Sequence, residues 1–351
     1  MDKRIKVAVI FNEAHPEMYV KSVEHEIKEL DFIPYFEVEE LTPIEEYEIL
    51  ANKLNKAGLE AYPLNIKDDI RLLLKNLKDN KPDVIFNFIE LYKDNSRLEM
   101  NFVGLYELLG IQYTGAPPMA LANCQNKVLA KRLLNAQGIK TPRYIFIKNK
   151  RKNYRHLLNF PLIVKPAYED ASVGIENDSI VETQKQLNER IDYILNIFAQ
   201  PALVEEFIDG RELNIAILGD RYPKALPISE IDFTEMPDHL YNIVSYQAKW
   251  DPQHEAYHKT IPSCPALLPK RIENKAKEIA LKAFKAMGCR DYARVDMRLS
   301  KNKELYVLEV NPNPDLTDGA GFMRSAGAAG YSYVRTLKKI ISLAWARRKR
   351  A

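Results

Sequence analysis

The stretch YARVDMRLSKNKELYVLEVNPNPDL, residues 292–316, decides the fold. Two runs of alternating apolar residues, Ala293-Val295-Met297 and Leu305-Val307-Val310, flank a polar turn at residues 300–303, which is a hairpin pattern. On a hairpin residues two apart face the same way, so Arg294 shares a face with Asp296, and Glu309 with Asn311. One cation and three hard-oxygen side chains aimed at one place suit magnesium on phosphate, because magnesium takes one or two carboxylates and lets phosphate oxygens complete its shell. The plain alternative is an edge hairpin with a solvated charged face. Four convergent groups beside an otherwise apolar run argue against it.

Working outward, a chain of 351 residues has room for two or three domains with proper cores. Its 51 basic and 48 acidic residues leave a net charge of +3, too small for a broad nucleic-acid-binding field. The terminal WARRKR, residues 345–350, reads as a solvated helix end, so neither a nucleic-acid nor a membrane partner is expected. Cys124, Cys264 and Cys289 lie far apart and match no zinc spacing, which fits a reducing compartment and a cytoplasmic location. The first residues run from a charged start into a strand too short for a signal sequence or a membrane span.

IKVAVIF (5–11) and PDVIFNFIE (82–90) are near-continuous apolar runs of the kind found in buried parallel strands. Helical patterns at 43–57 and 67–77 surround a further short strand at 60–64, which predicts an α/β layer with ligands at the carboxyl ends of its strands. Glu13 and Glu90 sit at those ends and are candidate substrate contacts, although helix starts attract the same residue type. Residues 30–50 mix aromatics with clustered glutamates, show no clear period, and read as an irregular excursion. An amphipathic helix is expected over 120–138, ended by Gly138, so the first domain spans 1–117. Strands at 143–147, 161–166 and 202–208 with a helix at 184–199 form a small α+β unit, 118–204. The last unit, 205–351, carries the hairpin, a helix at 270–287 and a closing helix at 332–346.

Lys165 closes the apolar strand PLIVK and precedes a small-residue loop containing Ser172 and Gly174. A strand-end lysine can neutralise phosphate while the loop's N–H groups cover it; a snorkelling lysine is the plain alternative. Neither the Walker A pattern nor the GxGxxG fingerprint occurs. In LVEEFIDGREL (203–213) the backbone of an interdomain connection can read adenine's edge, and Glu212 can accept from ribose hydroxyls; taken alone this is an acidic turn. Residues 245–264 have the look of a long closing loop. Its His254 and His258 have the spacing of a metal pair on a helix but lack a third ligand. Tyr241, Tyr246, Trp250 and Tyr257 either seal a pocket or simply pack.

These pieces carry a resemblance. Over residues 105–333 the order and spacing of ELLGIQYTGAP, QNKVLAKRLL, PLIVKPAYEDASVG, VEEFIDGREL, YARVDMRL and LEVNPNP resemble the ATP-grasp superfamily, specifically enzymes similar to D-alanine–D-alanine ligase. The resemblance implies an α/β ATP-grasp fold: an N-terminal parallel α/β domain followed by two α+β subdomains that clamp ATP. It implies that Lys127 and Lys165 hold ATP phosphates under the loop of Ser172, that Glu205, Glu206 and Ile208 contact adenine, and that Glu212 contacts ribose. Lys249 matches a lysine on a mobile loop. Asp296, Glu309 and Asn311 match ligands of magnesium, two ions with manganese as a substitute, and Arg294 matches the arginine over the transferred phosphate. The implied chemistry is ATP-dependent activation of a carboxylate as an acyl phosphate, followed by attack of an amine, in a homodimer acting on small molecules.

Departures cluster on the amino-acid side. Where the family carries a Gly-rich, Ser-containing motif, this chain reads FNEAHPEM (11–18), and HGxxGEDGT is replaced by IELYKDNSRLEMN (89–101). A phosphate-loop serine becomes Ala171, the lid tyrosine Trp250, a glycine after the metal motif Asp315, and a carboxylate-holding serine Ala320. Altered substrates are therefore expected, with Trp250, Asp315 and Asp318 near them and an amine of extra positive charge; aspartates at turns also cap helices. Alternatives are an authentic D-alanine–D-alanine ligase, a phosphotransferase that stops at a phosphorylated product, and a nucleotide-binding module without turnover.

Overall fold

The computed structural model describes residues 4–14, 42–169 and 171–348. The expected irregular excursion lies largely outside the described residues, as do the second half of FNEAHPEM and the last residues of the basic tail.

The first layer runs β1 (Lys6–Phe11), α1 (Pro43–Lys56), β2 (Glu60–Asn65), α2 (Ile70–Asn80), β3 (Val84–Phe88), α3 (Glu99–Leu108) and β4 (Gln112–Tyr113). Its sheet is parallel throughout, in the order β2-β1-β3-β4. The unbroken apolar run of β1 follows from burial on both faces. Ala8 and Ile10 join one core with α2 and α3, while Val7 and Val9 join another with α1. The helical pattern expected over 43–57 is α1, fixed by a capping box between Thr42 and Glu45, so the irregular stretch gives way to helix at residue 43. α2 starts later than its pattern suggests, because Lys67 and Asp68 take positive φ and Asp69 caps the helix.

The expected single helix over 120–138 is two, α4 (Pro118–Gln125) and α5 (Lys127–Ala136). Asn126 sits between them in extended conformation, and its side chain accepts from Leu129 N. There follow β5 (Tyr144–Ile147), β6 (Leu162–Pro166), β7 (Ile180–Val181), α6 (Gln184–Ile197) and β8 (Ala202–Glu206), an antiparallel sheet in the order β5-β8-β6-β7 backed by α6.

The last sheet is built from β9 (Gly210–Leu218), β10 (Lys224–Ala225), β11 (Ser229–Asp232), β12 (Ile261–Ser263), β13 (Tyr292–Ser300) and β14 (Leu305–Pro312), in the order β12-β11-β9-β13-β14 with β10 on β9. Residues 245–264 are not a plain loop: α7 (Tyr246–Trp250) and α8 (Glu255–Lys259) precede β12. α9 (Lys270–Met287) covers one face of the sheet and ends at Gly288, φ +78°. α10 (Gly321–Ala328) and α11 (Tyr333–Arg347) close the chain, α11 packing with α1 on the first layer.

A buried ionic staple joins the first and last layers. Asp291, fully buried, accepts from Gly115 N at 2.9 Å and from the Arg347 guanidinium, which also donates to the Tyr113 carbonyl. Gly115 has φ +90°, and a Cβ there would lie 2.0 Å from Asn313 Oδ1, which itself accepts from Ala116 N. Removing one partner of a buried pair strands the other charge, so Arg347→Met is expected to cost about 3–5 kcal/mol, read as a lowered urea midpoint at unchanged slope.

Candidate active site

The break at Asn126 starts α5 at Lys127, and the i, i+4 spacing puts Lys131 on the same helix face one turn on. Lys127 Nζ reaches toward β14, 3.6 Å from Glu309 Oε2. Lys131 Nζ lies 2.9 Å from Glu205 Oε1, and Lys165 Nζ 3.0 Å from Glu205 Oε2. Glu205, 1% exposed, thus bridges two lysines. Burial alone would push its carboxyl up, but the two ammonium groups outweigh that and hold it below the usual range. Lys131 lacks solvent altogether, and that burial lowers its pKa against the pull of Glu205. Glu206, the next residue on β8, points the other way: its carboxylate pairs with Arg143 and accepts from Asn159 N. Its side chain is thus engaged on the opposite side of β8 from the Lys131 and Lys165 ammonium groups.

On β9 and β13 the odd-numbered residues from Leu213 to Ile217 and from Ala293 to Leu299 enter the core, and the even-numbered Arg294, Asp296, Arg298, Glu212 and Asn214 share the opposite face. Arg294 pairs with Asn311 and Asp296 with Glu309 across the hairpin. The register shifts after Asp296, skipping Leu308; this bulge is why the apolar alternation jumps from Val307 to Val310. Asp296 is the hub. Its Oδ1 accepts from Arg294 Nε (2.7 Å) and Asn214 Nδ2 (2.8 Å), its Oδ2 from Arg294 Nη2 and Asn311 Nδ2 (both 2.7 Å). Burial raises Glu309, yet Lys127, Lys249, Lys165 and Arg294 together bring it well below the usual carboxylate range. Glu212 and Lys249 move the other way: burial raises the acid and lowers the base. Two adjacent carboxylates and an amide are a donor set that fits magnesium, provided Arg294 turns its fork from Asp296 toward another anion.

The loop after β6 carries Ala171, Ser172 and Gly174 at positive φ, so successive N–H groups are presented around it. It is tied to the segment beyond β11 by three bonds: Ser172 Oγ to the Val244 carbonyl (2.8 Å), Tyr246 N to the Ile175 carbonyl (2.7 Å) and Trp250 Nε1 to the Ala171 carbonyl (2.9 Å). The indole therefore uses a backbone acceptor where Ala171 offers no hydroxyl. His254 caps α8 and the buried His258 bonds the Pro252 carbonyl; they form no metal pair. Among the described residues no cluster of three His, Cys, Asp or Glu side chains could hold a metal by itself.

Beyond the carboxyl ends of β3 and β14 lies a cavity of about 160 Å³, lined by Glu46, Tyr47, Glu90, Asp315, Asp318 and Tyr333 among others. Burial, then Asp318, Asp315 and Glu46, pushes the Tyr333 hydroxyl up to about 12. Tyr47 is raised by burial and by Glu90, Glu46, Asp315 and Glu13; Glu90 and Asp315 line the cavity with its ring, whereas Glu13, whose N donates to Asn65 Oδ1, does not. Asp315 also accepts from Thr317 N, the turn role its position suggests. Sequence reading missed Glu46, Tyr47, Lys131, Asn214 and Arg298. The clustered glutamates before α1 and the i, i+4 lysines of α5 were the available signals.

With parallel, antiparallel and hairpin sheets arranged in this way, the fold is that of the ATP-grasp class. It matches the crystal structure of D-alanine–D-alanine ligase from Bacillus anthracis complexed with ATP over 99% of both chains, with a TM-score of 0.70 at 23% identity. The family model for the D-ala D-ala ligase C-terminus covers residues 133–342. D-alanine–D-alanine ligases of Carboxydothermus hydrogenoformans and Desulforudis audaxviator are 33% and 30% identical, each over 83% of this chain and 89% and 90% of their own. An uncharacterized protein of Sinorhizobium fredii is 32% identical over 74% of each chain. The chain belongs to the D-alanine–D-alanine ligase family and is an ATP-dependent carbon–nitrogen ligase. Among the described residues no helix is long and apolar enough to cross a membrane.

The Lys131–Glu205 pair is a test of the site's electrostatics. Glu205→Leu is expected to lower stability by about 3–5 kcal/mol by leaving the Lys131 and Lys165 ammonium groups buried without their shared carboxylate, and Lys131→Met added to it should recover part of the loss, since Lys165 stays unpaired. A double-mutant cycle in urea measures both.

Proposed function

We infer that the cleft binds ATP, phosphorylates a carboxylate, and joins it to an amine carrying a second positive charge. The observation that supports this is the cation-rich cleft face ending beside an acidic cavity: Tyr292, which lines the cavity, begins the strand of Arg294, and Asp315 follows Asn311 by one turn of chain. In this reading Lys127, Lys165, Lys249 and Arg294 take phosphate oxygens beneath the loop of Ser172. Glu205 and the backbone from Glu206 to Ile208 meet the base, and Glu212 meets the ribose. Asp296, Glu309 and Asn311 hold magnesium, as two ions. Magnesium, when bound, neutralises charge between the phosphates. The units inferred are 1–117, 118–204 and 205–351 on the pattern of elements along the chain, and the assembly a homodimer on the family resemblance.

A carboxylate is a poor acylating agent because its oxygen leaves badly. Transfer of the terminal phosphoryl group to that oxygen, with ADP departing, supplies a good leaving group; attack of the amine on the carbonyl carbon then forms the amide and expels phosphate. Two anions must first meet, and the lysines with Arg294 offset their repulsion. The bonds from Trp250, Ser172 and Tyr246 keep the lid segment on the phosphate loop, which excludes water from the acyl phosphate. Glu46, Glu90, Asp315 and Asp318 favour a cationic group in the cavity, whereas Asp315 and Ala320 stand where relatives of this family hold a small zwitterion.

The reading is tested by ADP release across a grid of carboxylates and amines with product masses recorded. Release that requires both partners and yields an amide mass is expected, fastest with diamines or basic amino acids. A stable phosphorylated product formed without amine would replace the ligase by a phosphotransferase, and a best rate with D-alanine alone would make this an ordinary family member. Asp296→Ala should cut ADP release by about 100-fold or more. Asp315→Ala should slow cationic amines about tenfold more than neutral ones; an equal loss for both sinks the cavity assignment.

A further inference from the structure

Arg298 has no role in the proposed function, yet it is 3% exposed and tied to three partners on two segments of the chain besides its own strand. It lies on β13 two residues past Asp296, on the same face and in register with Glu212 of β9. Its Nη2 is 2.8 Å from Glu212 Oε2 and 2.5 Å from the Asn242 carbonyl, and its Nη1 donates to the Gly210 carbonyl at 2.9 Å. The guanidinium also lies over the rings of Phe207 and Phe233, 5.7 and 5.4 Å from their centroids. One planar group thus joins the connection between β8 and β9, the Glu212 carboxylate, and the segment that leads into the helix of Lys249. Gly210 can be nothing larger at this junction, since a Cβ would lie 2.1 Å from the Leu299 carbonyl oxygen.

We propose that Arg298 is a positioning residue for nucleotide sugar recognition: it fixes the Glu212 carboxylate so that its second oxygen is presented to the ribose hydroxyls. With Oε2 held by Nη2 of a guanidinium that is itself locked by two backbone carbonyls and two rings, the carboxylate is pinned at one oxygen before ligand arrives. A preset acceptor reads a hydroxyl pair by geometry and loses an analogue that lacks one of them. A lysine keeps the charge but has no fork, and a methionine keeps neither.

This inference rests on the nucleotide reading, and the test separates the two. Binding of ATP, 2′-deoxy-ATP and 3′-deoxy-ATP to the full chain is measured by calorimetry for the unaltered protein, Arg298→Lys and Arg298→Met. The unaltered protein is expected to prefer ATP over at least one deoxy analogue by about tenfold. In Arg298→Met the three affinities should converge, with ATP losing most; Arg298→Lys should retain less than half of the original preference while keeping the native circular dichroism spectrum. If either folded variant weakens all three nucleotides by the same factor and keeps the original preference, Arg298 only packs and the proposal falls. If the unaltered protein does not bind ATP, the nucleotide reading falls; if it binds all three alike, the ribose placement at Glu212 falls and this inference with it.

Discussion

Buried like charges must be balanced, and the centre of this molecule is organised by that constraint. Glu205 stands between Lys131 and Lys165, Asp296 between Arg294 and two amides, Glu212 against Arg298, and Glu309 within reach of Lys127. Each of these carboxylates faces a cation or an amide donor that offsets the cost of taking its charge out of water. The same pairs set the electrostatics of the cleft: they keep cations that could turn to phosphate next to acids that could turn to a metal ion. Ligand binding at such a site is a trade of one set of ion pairs for another, not the insertion of charge into an empty apolar pocket.

Placement of these charges depends on three local devices. The extended Asn126 starts a new helix at Lys127 and aims two lysines, one turn apart, at two different sheets. The bulge at Leu308 keeps Glu309 and Asn311 level with Asp296 and Arg294 after an otherwise regular hairpin has begun to twist away. The Asp291 and Arg347 staple, with Gly115 pressed against Asn313, fixes the first layer against the end of β14, and the acidic cavity forms in the gap between them. Each device is a short-range feature whose effect is read across the whole site.

Family membership and the proposed change of substrates are compatible. By the resemblance, the motifs read as nucleotide-binding keep the pattern of the ligases, while Ala171, Trp250, Asp315 and Ala320 depart from it together. Trp250 and Ala171 are a matched change, because the indole N–H bonds the backbone carbonyl at 171 and needs no hydroxyl. The acids at 315 and 318 have no such internal match; they face a cavity shared with Glu46 and Glu90.

The sequence by itself determined the alternation of Tyr292 to Pro312, the two-faced burial of β1 and the long amphipathic α9, because these depend on periods of two and 3.6 residues read locally; the family was legible separately, from the resemblance of its motifs in order and spacing. The sequence left Lys131, Arg298, Asn214 and Glu46 as ordinary surface-type residues. Their roles arise from partners 74, 86, 82 and 269 positions away, roughly counted along the chain to Glu205, Glu212, Asp296 and Asp315. It also merged α4 with α5, since a lone asparagine is compatible with a helix interior until tertiary packing turns its backbone. Only the folded chain decided which charges became buried pairs, because burial and pairing are properties of what the sheets bring together and have no local period to read.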